Sequence, residues 1–244
     1  MKDKKSVWML IAHSSIYKVI VLIAVVIAVQ GIMFWLELSK GDITYGELRA
    51  LEQVIDDAHM LWICAGGFLI VTAVLCLTGC EFGNRAGYTL SRLAMTEKEM
   101  FVSQMVYNAL CYVIFWAGQI VSTLICSLLY LRFADVSVVN DQIVFLTFYQ
   151  NDFWHNLLPM ADVSRMVRNL VLVIALGIGT AAVPVFQRRR RMPLVIVVLI
   201  ALIVMYFTRH MGDLTNDMIV IAIAGAAAVR GIVAVKDCLK EELP

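Results

Sequence analysis

Glu81, Arg85, Arg92, Glu97, Lys98 and Glu99 crowd into residues 80–100, a stretch of mixed charge set between two long apolar runs. Leu90, Leu93 and Ala94 fall there at helical spacing, with Ala86 one turn before Leu90. A few apolar anchors inside a charged rim suit the docking of a short amphipathic helix, predicted over 86–95, into a partner's groove. Gly83 and Gly87 weaken helix formation early in the segment. Thr96 followed by Glu99 is a capping box, so a new helix is expected to start near Glu97. The plain alternative for the whole stretch is a solvated loop. A second set of polar groups, Gln30, Gln119 and Ser122, lies inside apolar runs. Amides and hydroxyls there can bond helix to helix, or line a path for a transported molecule.

Signatures of bond-making chemistry are missing. The sequence has no GxxxxGK[ST], HExxH, GxSxG or CxxC. The chain is therefore not expected to cradle nucleotide phosphates, to bind a catalytic metal or to carry a serine nucleophile. His13, His59, His155 and His210 are scattered, which argues against a zinc site. Acids in the apolar runs sit at their ends, as Glu37 and Asp217 do. An ion-coupled transporter would want ionisable groups near the midplane, so any transport should draw its energy from a partner.

The elements that must position these groups are membrane spans. The chain is 61% apolar and 16% charged, against about 45–50% and about 25% in ordinary soluble domains. Mean hydropathy is +0.82. The apolar runs are continuous, not alternating, which points to an all-α integral membrane protein and away from a barrel. Six transmembrane helices are expected, over 18–38, 58–79, 100–130, 167–186, 192–208 and 217–235. An N-terminal interfacial helix precedes the first, because residues 7–17 mix Trp8 and Ile11 with His13, Ser14 and Ser15. That segment is too polar for a signal-peptide core, and the N-terminus is expected to be retained.

Between the spans, Thr44 and Glu47 form a second capping box ahead of Leu48, Leu51 and Ile55, predicting a short surface helix. Gly66, Gly67 and the run 225–228 mark faces for close helix contact. Gly177, Gly179 and Pro184 predict a kink in the fourth span. Residues 131–165 carry apolar patches at 143–149 and 153–158, so a folded cap or re-entrant segment is expected rather than disorder.

Six spans put both termini on one side. With that side as cytoplasm, 14 of the 20 Lys and Arg residues lie inside and six (Lys40, Arg49, Arg132, Arg165, Arg168 and Arg209) outside. This satisfies the positive-inside rule, and Arg188–Arg191 is its strongest element. Cys64, Cys76, Cys80, Cys111, Cys126 and Cys238 fall in spans or inside, so no external disulfide framework is expected.

Six spans, cytoplasmic termini and a charged connector after the second span resemble the permease subunits of ABC exporters of the drug, polysaccharide and peptide-export class. In that family the connector opens with an acid at the membrane face, and a coupling helix then docks on the ATPase subunit. Glu81 matches the acid. Residues 87–90 match the run into the coupling helix, and Thr96 and Lys98 match the polar end and the basic residue before span three. The family's proline is absent; Leu93, Ala94 and Met95 stand in its place. The resemblance implies an ATPase-coupling set of Glu81, Arg85, Leu90, Arg92, Leu93, Ala94, Thr96 and Lys98. It also implies two copies of a separate ATPase subunit that bind ATP and Mg, a second identical or different permease, and no cofactor in this chain. The setting implied is the bacterial plasma membrane. Chains of this size are similar to permeases of peptide-toxin export or bacteriocin self-protection, which implies an amphipathic or hydrophobic peptide substrate. No nucleic-acid partner is expected. The competing expectation is a membrane scaffold or sensor whose connector binds a partner.

Overall fold

The computed structural model describes residues 2–40, 50–78, 80, 96–133, 142–159, 162–190, 192–207 and 214–240. Among them it is helical, with no strand. In chain order the helices are α1 (Lys2–Ser39), α2 (Leu51–Asp57), α3 (Met60–Thr78), α4 (Glu97–Phe133), α5 (Gln142–Gln150), α6 (Asp152–Leu157), α7 (Val163–Arg188), α8 (Leu194–Phe207) and α9 (Leu214–Lys240). Five contain stretches long and apolar enough to cross a membrane: Ser15–Ser39, Met60–Thr78, Glu97–Phe133, Val163–Arg188 and Leu214–Cys238. This is the make-up of an all-α multi-pass membrane protein, in which each helix satisfies its own backbone.

One sequence expectation changes in detail, and two others run beyond the described residues. The N-terminal segment is not a separate interfacial helix: α1 runs unbroken from Lys2 through the span. The expected fifth span corresponds to α8, which has 14 residues. At 1.5 Å per residue that is about 21 Å, short of a hydrocarbon core of about 30 Å. The second capping box and the whole of the expected coupling helix, residues 86–95, lie outside the described residues.

Helix α4 shows how the bundle sorts its side chains. Phe101, Gln104, Asn108, Cys111, Phe115, Gln119, Ser122, Cys126 and Tyr130 are buried along one stripe at three- and four-residue intervals. Val102, Val106, Leu110, Val113, Leu124 and Leu128 are exposed on the other faces. Lipid tails are as apolar as leucine, so burial is not reserved for the apolar side chains, and the polar ones turn inward to find partners. Asn108 Nδ2 donates to Thr180 Oγ1 on α7 at 2.9 Å. Tyr112 Oη donates to Thr72 Oγ1 on α3 at 3.0 Å, and Ser15 and Tyr107 share a 2.7 Å bond between α1 and α4.

Helix α7 is the centre. Its most apolar stretch is 67% buried, against 22–39% in the other four candidate spans. It packs on α9, α4, α8 and α3. The approach to α4 is closest at Gly177, where a Cβ would lie 2.8 Å from Ala109 Cβ and 3.0 Å from the Met105 carbonyl oxygen. The helix continues through the buried Pro184 to Arg188. Gly67 lets α1 press on α3 through Val26, whereas Gly66 meets open space. So does Gly225, in the run expected to pack closely; α9 instead meets Ile178 of α7 at Gly231.

The expected folded cap is present as α5 and α6. Asn151 caps α6 by accepting from Trp154 N–H at 3.2 Å, and its Nδ2 donates to Asp56 Oδ1 of α2 at 3.1 Å. Trp154 is fully buried beside Phe148, with ring centroids 4.7 Å apart. Trp116 Nε1, on α4, donates to the Leu157 carbonyl at 2.8 Å. Beneath the cap, α2 buries Leu51, Val54 and Ile55, the face anticipated from the sequence.

Candidate functional site

The connector expected to dock a partner is framed by described residues on both sides. Of the proposed coupling set, Glu81, Arg85, Leu90, Arg92, Leu93 and Ala94 lie outside those residues, while Thr96 and Lys98 lie within them. Thr96 Oγ1 accepts from Glu99 N–H at 3.4 Å, so the hydroxyl half of the capping box sits where α4 begins. Lys98 is exposed. Glu97 reaches across to the far end of α7, where Arg188 Nη1 lies 3.1 Å from its Oε1. The connector's exit is thus tied to the end of the central helix.

Cys80 marks the connector's entrance, just beyond α3. It is buried, and its thiol donates to the Cys76 carbonyl at 3.1 Å. Burial pushes its pKa up, with the Arg188 charge pulling the other way. A raised thiol pKa leaves little thiolate at neutral pH. In a background otherwise free of cysteine, maleimide should therefore modify Cys80 at pH 7 at least about tenfold more slowly than a Lys98→Cys thiol. The rate should climb as pH rises through 9, and Arg188→Gln should slow it further. Equal rates at Cys80 and position 98 would contradict a buried entrance.

The second sequence-derived set is brought together. Gln30 from α1, and Gln119 and Ser122 from α4, are all buried. Ser122 Oγ donates to Gln30 Oε1 at 2.7 Å, and Gln30 Nε2 donates to Gln119 Oε1 at 2.8 Å. Gln30 Nε2 also lies 3.4 Å from the Met60 carbonyl at the start of α3. Three helices meet at one amide, which is the interhelical bonding role of such groups.

A third cluster was not foreseen. Arg165 and Arg168, counted from sequence as external charges, are buried in the first turns of α7. Arg168 Nη1 lies 2.7 Å from Asp217 Oδ1 on α9, with both side chains almost fully enclosed. Ser164 Oγ donates to the other Asp217 oxygen at 3.2 Å, and Arg165 Nε approaches that oxygen at 3.9 Å. Arg168 Nη2 donates to Asn156 Oδ1 of the cap at 3.2 Å, and Asn169 Nδ2 donates to the Asn156 carbonyl at 2.8 Å. Asp162 spends its carboxylate on His155 and Arg165, each at 3.3 Å, rather than on capping α7. The sequence held one signal for this: Arg168 and Asp217 begin spans that start on the same side, so each was the other's available partner.

Between these clusters, α3, α4, α6, α7 and α8 line a partly open cavity of about 100 Å³. Its wall is almost wholly apolar, with Leu61, Phe68, Phe115, Leu157, Leu172, Leu176 and Ile203 around it and Gln119 at one side. No protein-family model matches the chain, and no curated protein or solved structure matches it either.

Proposed function

We propose that the chain is the transmembrane permease subunit of an ATP-driven exporter of the ABC type, moving an amphipathic peptide or other hydrophobic substrate out of the cell. In this reading the segment 192–208, which contains α8, is the sixth membrane crossing, both termini are cytoplasmic, and residues 86–95 are the coupling segment. The ATPase is a separate chain that binds ATP and Mg, present in two copies beside a second permease. The observation that supports the reading best is the Glu97–Arg188 tie. A displacement of the connector would reach α4 and, through that pair, the central helix α7 as well. Helix α4 is a suitable lever: its 37 residues make a rod of about 55 Å.

The test uses the whole complex. Leu90→Asp with Leu93→Asp should abolish binding to the ATPase subunit, or uncouple hydrolysis from transport, while membrane insertion is unchanged. Cysteines at positions 98 and 190 should be shielded from an impermeant reagent added outside cells, and cysteines at 57 and 152 should react. The purified single chain should hydrolyse no ATP. A double variant that binds its ATPase and transports at the wild-type rate would leave the membrane-scaffold reading as the better one.

A further inference from the structure

Helix α5 turns the wrong face outward for a helix that meets water. Phe145 is 61% exposed, Leu146 53% and Tyr149 43%, while the polar Thr147 is buried. Thr147 Oγ1 is satisfied within the helix, donating to the Ile143 carbonyl at 2.8 Å. Phe148 alone of the large side chains packs fully inward, against Trp154. The exposed side chains are contiguous, with the Phe145 and Tyr149 ring centroids 6.0 Å apart. No charged residue occurs from Gln142 to Asn151, and the exposed glutamines stand at the two helix ends. A bare aromatic face of this kind marks an interaction surface, and aromatic rings with a polar tip favour the boundary between lipid headgroups and hydrocarbon.

The depth of α5 is set by its ties to the spans. Asn151, directly after it, donates to Asp56 just ahead of α3, so the helix ends level with the start of that span. Trp62, near the same end of α3, is 62% exposed, in the position of an interfacial anchor. On the other side Trp116 of α4 holds the cap through the Leu157 carbonyl. From Trp116, α4 runs on to Phe133 for about 25 Å. Leu124, Ile125 and Leu128 on that stretch are exposed. The cap is thus fastened at the edge of one apolar span and part-way along another.

We propose that α5 lies in the membrane interface on the face away from the connector, with Phe145, Leu146 and Tyr149 set among the lipid chains just below the headgroups. A second copy of the chain is the poorer occupant. A stable protein interface buries about 800 Å² on each partner, whereas a whole aromatic side chain supplies roughly 150–250 Å², and these are only about half exposed. The proposal does not rest on the export reading, since neither the connector nor a direction of transport enters it.

The test places 4-trifluoromethylphenylalanine at position 145 of the full chain, in nanodiscs of phosphatidylcholine and phosphatidylglycerol. Fluorine relaxation is measured with dissolved oxygen, which concentrates in hydrocarbon, and with a nickel chelate confined to water. The same label in place of exposed Lys98 is the water reference, and in place of Leu110, exposed on α4, the lipid reference. The oxygen-to-chelate ratio at position 145 should exceed that at 98 by at least about threefold, as a face buried about 5–10 Å into the interface requires. A ratio equal to that at 98 would put α5 in water and overturn the proposal. Weak relaxation by both agents would mean that protein, such as a second copy, covers the face, and would overturn it too. The label in place of Tyr149 reads the same face and carries the test if the first variant does not fold.

Discussion

Asp217→Ala should destabilise the folded chain by about 3–5 kcal/mol, the usual result of stripping one partner from a buried ion pair. The loss takes from the enclosed Arg168 guanidinium the carboxylate at 2.7 Å, leaves the neutral Asn156 and Asn169 amide oxygens beside it, and takes a carboxylate from Arg165. Ser164 loses its acceptor as well. The double variant Arg168→Leu with Asp217→Leu should recover part of the difference, because it removes the stranded Arg168 charge and leaves Arg165 with Asp162 at 3.3 Å. Denaturant unfolding in mixed micelles, read by tryptophan fluorescence, measures both. Trp154 sits in the cap that Arg168 holds and should report its release. If Asp217→Ala unfolds at the same midpoint as the wild type, the pair contributes nothing to the fold.

Gly177→Ala is the second substitution with a large expected effect. Its added methyl would meet Ala109 Cβ at 2.8 Å, the Met105 carbonyl oxygen at 3.0 Å and Ala109 Cα at 3.1 Å. Two of those atoms are backbone, so no rotamer change relieves the contact and the two helices must part. Overpacking of this kind costs about 1–3 kcal/mol. Gly225→Ala is the matched control: nothing lies within 4 Å of its Cβ, and alanine is the better helix former by about 1 kcal/mol. The first should lower the melting temperature, and the second should hold or raise it. Ala109→Gly combined with Gly177→Ala should restore part of the loss.

The two substitutions also mark what was legible in the sequence. Five of the six expected spans were legible, because uninterrupted apolar length is nearly a sufficient signal for a helix that crosses lipid. The start of α4 was legible from Thr96 and Glu99, which act locally. The polar stripe on α4 was visible as a set of residues suited to interhelical bonding, but the meeting of Gln30 with Gln119 and Ser122 was not legible. Which glycines touch a neighbour was not legible: Gly177 and Gly225 sit in similar small-residue runs, and only the rotation of each helix separates them. The burial of Arg165 and Arg168 was hidden for a different reason. Basic residues at span ends normally face water, and here the cap folded from the preceding segment and the carboxylate of Asp217, 49 residues on, enclose them. The unbroken α1 was missed because polar side chains at a span's edge do not by themselves end a helix.

The ion pair between α7 and α9 has a consequence for how the chain is made. Arg168 and Asp217 are separated by 49 residues. At a synthesis rate of about 5–20 residues per second, the arginine precedes its carboxylate by roughly 2–10 s. By the end of that interval α7 (Val163–Arg188) is complete, and its central role in the bundle is still unfilled on the α9 side. Its two basic side chains must reach toward the headgroups instead, as long cationic side chains at a span end can do. Closure of the bundle on that side is therefore a late event of biosynthesis, set by the arrival of α9. A nascent chain halted before Asp217 is the species that insertion factors and membrane proteases would meet with this site still open.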